Sequence, residues 1–218
     1  MLSTVGDFAS KWGAARVEEL RANAIAAAAA IGAEHRFLDA PYGIPACDSS
    51  LVAGIARALG ELNPRLVLVP WPDDHHPDHR RTAQAAIEAL SYQSRFGGVE
   101  PPPDREILAY EISPWQTRRF DPDLFVSLDP ATVAAAMGCW PLFREWSAQT
   151  LAGYEVSSRH RLGTWGRVIG RDAAEAFAHL GPRFPLRSFL PGLFGDALVG
   201  AGSPQYPHGW RHFANLAP

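Results

Sequence analysis

A short, continuously apolar segment, Leu66 to Val69, constrains the fold of this chain more than any other feature. Such a run, without polar alternation, is typical of a parallel β-strand that helices cover on both faces. Asn63-Pro64 breaks the chain before it, and a polar loop, Trp71 to His76, follows. A helix is predicted from Pro77 to about Ser91, so the sequence contains a strand–loop–helix unit of the kind found in α/β domains.

Strand and helix patterns alternate along most of the chain. Strands are predicted over 35–38, 66–69, 106–110 and 124–128, and helices over 14–31, 51–62, 77–91, 129–137, 159–169 and 172–180. This alternation favours an open, mostly parallel sheet with helices on both faces, formed by residues 1–180. Proline and glycine recur from Gly181 onward, so residues 181–218 are predicted to form an irregular tail packed on the same domain.

Composition narrows the possible partners. The chain has 218 residues, 47% of them hydrophobic, with a formal net charge of −3, which fits one folded domain and gives no basic surplus for nucleic acid. It contains no apolar run long enough to span a bilayer, no signal peptide and only two cysteines. We therefore expect a cytoplasmic protein with a small-molecule or sugar-like partner. The sequence does not predict an oligomeric state.

The segment Pro70 to His79, with the sequence PWPDDHHPDH, concentrates the chemically active side chains. It follows the carboxyl end of the clearest strand, where ligands bind in open α/β sheets. Pro77 suits the first position of a helix, which places His76 near the N-cap and His79 in the first turn. Residues three apart on a helix project toward the same side, and imidazole is a good zinc ligand. The spacing therefore predicts a metal-dependent site here.

A simpler interpretation is that the three aspartates of this segment cap the helix and the histidines are merely solvated. We favour the functional interpretation, because polar residues that follow a buried strand are where binding and catalytic sites concentrate.

Several segments resemble the PIG-L/LmbE-like family of N-deacetylases. Residues 66–72 followed by 74–79 resemble its second motif. Residues 163–170 and 175–177 are similar to its C-terminal signature, and residues 3–7 resemble the end of its second strand. The resemblance implies a Rossmann-like fold and removal of acetyl groups, with the help of a zinc ion, from N-acetylglucosamine-type amino sugars or glycoconjugates.

The resemblance also implies roles for individual residues. His79 corresponds to a zinc ligand. His76 corresponds to the histidine that polarises the substrate carbonyl or stabilises the tetrahedral oxyanion. Asp78 would orient a histidine, as carboxylates commonly do beside metal sites.

The sequence departs from the family at its beginning. The family's first motif, Ala-His-Pro-Asp-Asp-Glu, supplies a second zinc-binding histidine, a zinc-binding aspartate and the general base, and it is not found in this sequence. Either Met1 is a misassigned start, or the chain is a truncated remnant that acts as a sugar-binding or interaction domain. We expect the former, because losing a central strand would expose the edges of its neighbours. A hydrolase of another class, such as a phosphoesterase, is a third possibility.

Overall fold

The computed structural model of the chain describes residues 1–7, 13–41, 49–144, 146–180 and 188–200. Its elements in chain order are β1 (Leu2–Asp7), α1 (Ala14–Ala30), β2 (Arg36–Pro41), α2 (Ser49–Leu62), β3 (Leu66–Pro70), α3 (Pro77–Ser91), α4 (Gln93–Gly97), β4 (Glu106–Tyr110), β5 (Leu124–Ser127), α5 (Pro130–Met137), α6 (Ala148–Val168), β6 (Ala174–His179), α7 (Leu190–Phe194) and β7 (Leu198–Gly200). Short 3-10 turns cover Trp140–Leu142 and Gly195–Ala197.

The strands form two sheets. β1 and β2 pair in parallel, and the second sheet has the order β3-β4-β6-β5-β7. Within it β3 and β4 are parallel, with Leu66 opposite Glu106 and Pro70 opposite Tyr110, whereas β6 runs antiparallel to both β4 and β5. The predicted α/β class with an open sheet is confirmed. The sheet is mixed, because its later strands join in antiparallel pairs.

Local capping explains where three of the helices begin. His76 caps α3 ahead of Pro77 at the first helical position, and Asp129 caps α5 by accepting a hydrogen bond from the Thr132 N–H. Ser147 caps α6 in the same way. The observed starts of α3 and α5 agree with the sequence predictions. They could be predicted because a capping residue acts on backbone groups within four positions of it.

The predicted helix over 172–180 is wrong, because Ala174–His179 form strand β6. Alanine and glutamate favour a helix, but β6 hydrogen-bonds on both sides, to β4 and to β5, and this pairing overrides local propensity. Part of the predicted irregular tail is also regular. Residues 190–194 are helical, and β7 pairs with β5 as an edge strand of the same sheet.

The prediction that both faces of β3 are covered holds for part of the strand in the described residues, since Leu66 packs against the cluster that contains Leu190 and Pro70 is buried. Val69 is buried against α2 and α3, whereas the side chain of Leu68 on the opposite face is 48% exposed. Among the described strands only β4 hydrogen-bonds to β3, so β3 is an edge strand of this sheet within the described residues.

One hydrophobic cluster joins the two sheets. Val52 and Ile55 of α2 pack with Val69 of β3, and Leu38 of β2 lies against the same cluster. The helix α2 therefore spans from β2 to β3. In the part of the chain that is described, no helix has both the length and the hydrophobicity of a membrane span.

A cluster of polar side chains lies at the start of β4, around Glu106. Nδ1 of His179 is 3.0 Å from the Asp123 carboxylate, and Nε2 is 3.5 Å from the buried Glu106. Glu106 also accepts hydrogen bonds from the Ser188 hydroxyl at 2.5 Å and from the Phe189 N–H. This cluster ties the segment before α7 to the sheet.

Candidate active site

The candidate site lies where β3 and β4 end. Parallel neighbouring strands finish at the same edge of a sheet, so the loops that follow them are adjacent. The Trp71 N–H donates to the Tyr110 carbonyl at 2.9 Å, which extends this pairing by one residue. The histidine segment after β3 therefore lies beside the loop that begins at Glu111.

The loop after β4 holds the histidine segment through its backbone. The His75 N–H donates to the Gln116 carbonyl at 2.8 Å, and the Arg118 N–H donates to the Asp73 carbonyl at 2.8 Å. The Trp71 indole N–H donates to the Arg118 carbonyl at 2.9 Å. These three hydrogen bonds connect the two loops, so each loop helps to fix the position of the other.

Asp74 is the central carboxylate of the site and is 3% exposed. Its Oδ1 accepts from the His76 N–H at 2.7 Å, and its Oδ2 accepts from the Thr117 hydroxyl at 3.3 Å. Oδ2 is also 3.2 Å from Nδ1 of His79, a close contact that is not aligned as a linear hydrogen bond. Asp74 therefore connects both histidines to the loop after β4.

This contact favours one tautomer of His79. A proton on Nδ1 would face the carboxylate, and the lone pair on Nε2 would then be available to a metal ion. Burial is the main cause of a lowered His79 pKa. The nearby Asp74 carboxylate opposes that shift, and the nearby His76 adds to it. The lowered pKa favours the neutral ring, which is the form that binds a metal ion.

His76 has the opposite hydrogen-bonding character. Its Nδ1 accepts from the Asp78 N–H at 3.2 Å as the cap of α3, so the proton of the neutral ring is on Nε2. The rings of His76 and His79 are stacked, with centroids 4.5 Å apart and planes 23° apart. The structure therefore stacks two imidazoles whose Nδ1 atoms have different surroundings, a backbone N–H at His76 and a carboxylate at His79.

Two aspartates, Asp78 and Asp74, contact the histidines for which an orienting role of Asp78 was predicted. Asp78 is buried in the first turn of α3 and holds His76 through its backbone N–H. The carboxylate next to the His79 ring belongs to Asp74, which the sequence prediction did not include. Its position two residues before the cap was a usable signal, because such an aspartate can accept the N–H of the cap residue.

Sequence reasoning also missed Glu111, the first residue after β4. Glu111 is 7% exposed, and its Oε2 accepts from the Trp165 indole N–H at 3.2 Å. Burial raises the pKa of its carboxyl group. Arg161 of the same helix pairs with Glu175 of β6. The C-terminal segment that begins at Gly163 therefore contacts the site through Trp165.

The described residues do not complete a metal site. A catalytic zinc ion takes three protein ligands and a water molecule. Within the described ranges, no group of three or more His, Cys, Asp or Glu side chains is arranged to hold a metal ion. His79 with its Asp74 partner therefore fits one ligand position, and the rest of the ligand set is not among these residues.

Comparisons with known proteins concern the family of the first part of the chain and its fold. Residues 2–90 match the family described as PIG-L: GlcNAc-PI de-N-acetylase. The fold is similar to that of the conserved protein TT1542 from Thermus thermophilus, with 24% identity, 84% of this chain and 82% of that chain covered, and a TM-score of 0.68. It is also similar to N,N'-diacetylchitobiose deacetylase from Pyrococcus horikoshii, with 18% identity, 75% and 64% covered, and a TM-score of 0.63.

A third similar structure has a different activity. It is GalB, the 4-carboxy-2-hydroxymuconate hydratase from Pseudomonas putida, with 20% identity, 85% of each chain covered, and a TM-score of 0.66. No curated protein matches the chain. The resemblance to the PIG-L family is therefore confirmed over residues 2–90, and the described chain has the α/β fold of the PIG-L-like deacetylases.

Proposed function

We propose that this chain carries the histidine part of a zinc-dependent N-deacetylase site, which removes the acetyl group from an N-acetylglucosamine-type amino sugar or glycoconjugate. The observation that carries the proposal is the stacked pair, His76 and His79, in which Nδ1 of His76 accepts from a backbone N–H and Nδ1 of His79 lies beside a carboxylate. The description of the matching family and the deacetylase from Pyrococcus horikoshii support this choice of reaction. The proposal includes a cytoplasmic location.

His76 would act on the acetyl carbonyl. Amide hydrolysis converts the carbonyl oxygen to an oxyanion, and a fixed N–H donor stabilises that charge more than the ground state. The Nε2–H of His76 is such a donor, because the Asp78 N–H occupies Nδ1 and holds the ring. The N-terminus of α3 adds a favourable dipole at the same place.

His79 would be a zinc ligand through Nε2, with Asp74 holding its tautomer. Bound zinc, where present, lowers the pKa of its water and polarises a carbonyl. Two further protein ligands and a general base are required. We propose that a segment like the family's Ala-His-Pro-Asp-Asp motif, which these 218 residues do not contain, supplies them.

The alternative is a sugar-binding or interaction domain without catalysis. It is favoured by one observation, that the described residues contain no complete set of metal ligands. The similar structure of a hydratase also shows that the fold alone does not determine the reaction.

Acetate release and zinc content test the proposal. The measurements compare this 218-residue chain with a longer chain translated from the upstream reading frame, using N-acetylglucosamine and N,N'-diacetylchitobiose. We expect the longer chain to release acetate only when zinc is bound, and His79→Ala to abolish both zinc binding and release. Unchanged turnover in the His79→Ala variant would refute the ligand assignment. Stop codons directly upstream of Met1 would favour the non-catalytic alternative.

A further inference from the structure

The tip of the loop after β4 carries an exposed aromatic side chain. Of the tryptophans that the structure describes, Trp115 alone is exposed, at 56% of its surface. A single exposed apolar residue is common and needs no explanation by itself. Trp115 differs from an ordinary exposed residue in two ways: it lies next to the candidate site, and its backbone belongs to a hydrogen-bonded turn.

Trp115 lies at the corner of a tight turn. The Gln116 N–H and the Thr117 N–H both donate to the Ser113 carbonyl, at 3.0 and 2.9 Å, which closes the turn around Pro114 and Trp115. Proline pre-sets the backbone of the first corner position, so the turn keeps its shape without a ligand. An indole on a pre-formed turn loses little conformational entropy when it binds a partner.

The same turn is attached to the candidate site. The carbonyl of Gln116, the residue after Trp115, accepts from the His75 N–H at 2.8 Å, and the Thr117 hydroxyl donates to Asp74. Backbone geometry then places the Trp115 Cα within roughly 9 Å of the His75 nitrogen. The turn that carries the exposed Trp115 is therefore adjacent to the segment that contains His76.

We propose that Trp115 is a substrate-contacting residue whose indole face stacks on the apolar face of a pyranose ring. One face of a pyranose presents C–H groups, and an aromatic face attracts them. This inference rests on the proposed amino-sugar function and adds to it that the substrate is recognised as a closed ring. A linear N-acetylated amine would not gain from the indole.

Binding and kinetics of Trp115→Ala and Trp115→Phe test this proposal. A matched control is Tyr92→Ala, which removes an aromatic side chain that is 47% exposed at the far end of α3, about 22 Å along the helix. Saturation-transfer NMR measures binding of N-acetylglucosamine, of N,N'-diacetylchitobiose and of acyclic N-acetylethanolamine. The longer chain supplies kcat and KM for acetate release.

We expect Trp115→Ala to weaken binding of both sugars roughly fivefold to tenfold and to raise KM with kcat unchanged. Trp115→Phe should retain most of the affinity. Tyr92→Ala should resemble the unsubstituted chain, and no variant should change binding of the acyclic amide. Normal sugar binding by Trp115→Ala overturns the role of Trp115 and leaves the deacetylase function standing. If the unsubstituted chains bind no amino sugar, the proposed function and this inference fall together.

Discussion

Replacing Asp74 by asparagine tests the arrangement of the site directly. The substitution keeps the size of the side chain and removes its charge. Its amide oxygen can still accept the His76 N–H, which is now 2.7 Å from Oδ1. Its amide NH₂ then faces Nδ1 of His79, where Oδ2 now lies at 3.2 Å. Because two donors repel, we expect His79 to move its proton from Nδ1 to Nε2.

The magnitude follows from the bonds that change. A hydrogen bond to a charged group contributes about 1.5–3 kcal/mol, and a neutral one about 1 kcal/mol. Asp74→Asn turns the bond from His76 into a neutral one and loses the charged contact to His79, so we expect the free energy of unfolding to fall by about 1–3 kcal/mol. Asp74→Ala leaves the partly buried His76 N–H without its acceptor as well and should cost about 1–3 kcal/mol more.

Two measurements check this reasoning. Long-range ¹⁵N–¹H correlation spectra report which ring nitrogen carries the proton, and urea unfolding gives the stability. The matched control is Asp73→Asn, since the neighbouring Asp73 contacts the loop after β4 through its backbone carbonyl. We expect the control to leave the His79 tautomer unchanged and to cost less than about 0.5 kcal/mol. An Nδ1–H tautomer of His79 that persists in Asp74→Asn would refute the role assigned to Asp74.

Two further predictions concern the sheet. Burial lowers the His179 pKa, but the hydrogen bonds and charges of Asp123 and Glu106 outweigh that and raise it. The contribution of His179 to stability is then complete below its ordinary pKa of about 6.5 and is lost as pH rises through the raised folded pKa. Urea unfolding should show stability falling in that window by at most about 1.4 kcal/mol per pH unit, and His179→Gln should abolish the fall; an unchanged slope would contradict this. Leu68→Lys should change the free energy of unfolding of the 218-residue chain by less than about 0.5 kcal/mol, because the side chain is exposed. In a longer chain with one more strand beside β3, the same substitution should lower the free energy of unfolding by about 2 kcal/mol or more. Equal costs in the two chains would contradict the placing of a further strand beside β3 in the longer chain.

Local sequence patterns were enough to predict the strand–loop–helix unit that contains the candidate site. A short apolar run, a helix-starting proline and a histidine at the cap act over a few residues, so β3 and the start of α3 could be predicted. The stacking of His76 and His79 follows from their spacing on one helix. The resemblance to the PIG-L family rests on the same short segment, which lies within the matched residues.

The tertiary structure decided which partners surround that unit. Asp74 accepts a hydrogen bond from Thr117, and Glu111 accepts one from Trp165. Each bond joins residues more than 40 positions apart, which no short-range sequence pattern connects. Strand β6 has the composition of a helix, and only its pairing on both sides makes it a strand. The sequence alone determined which groups could do the chemistry, because capping and periodicity act within a few residues. Their orientation and neighbours depended on long-range strand pairing and burial, which become defined only when the chain folds.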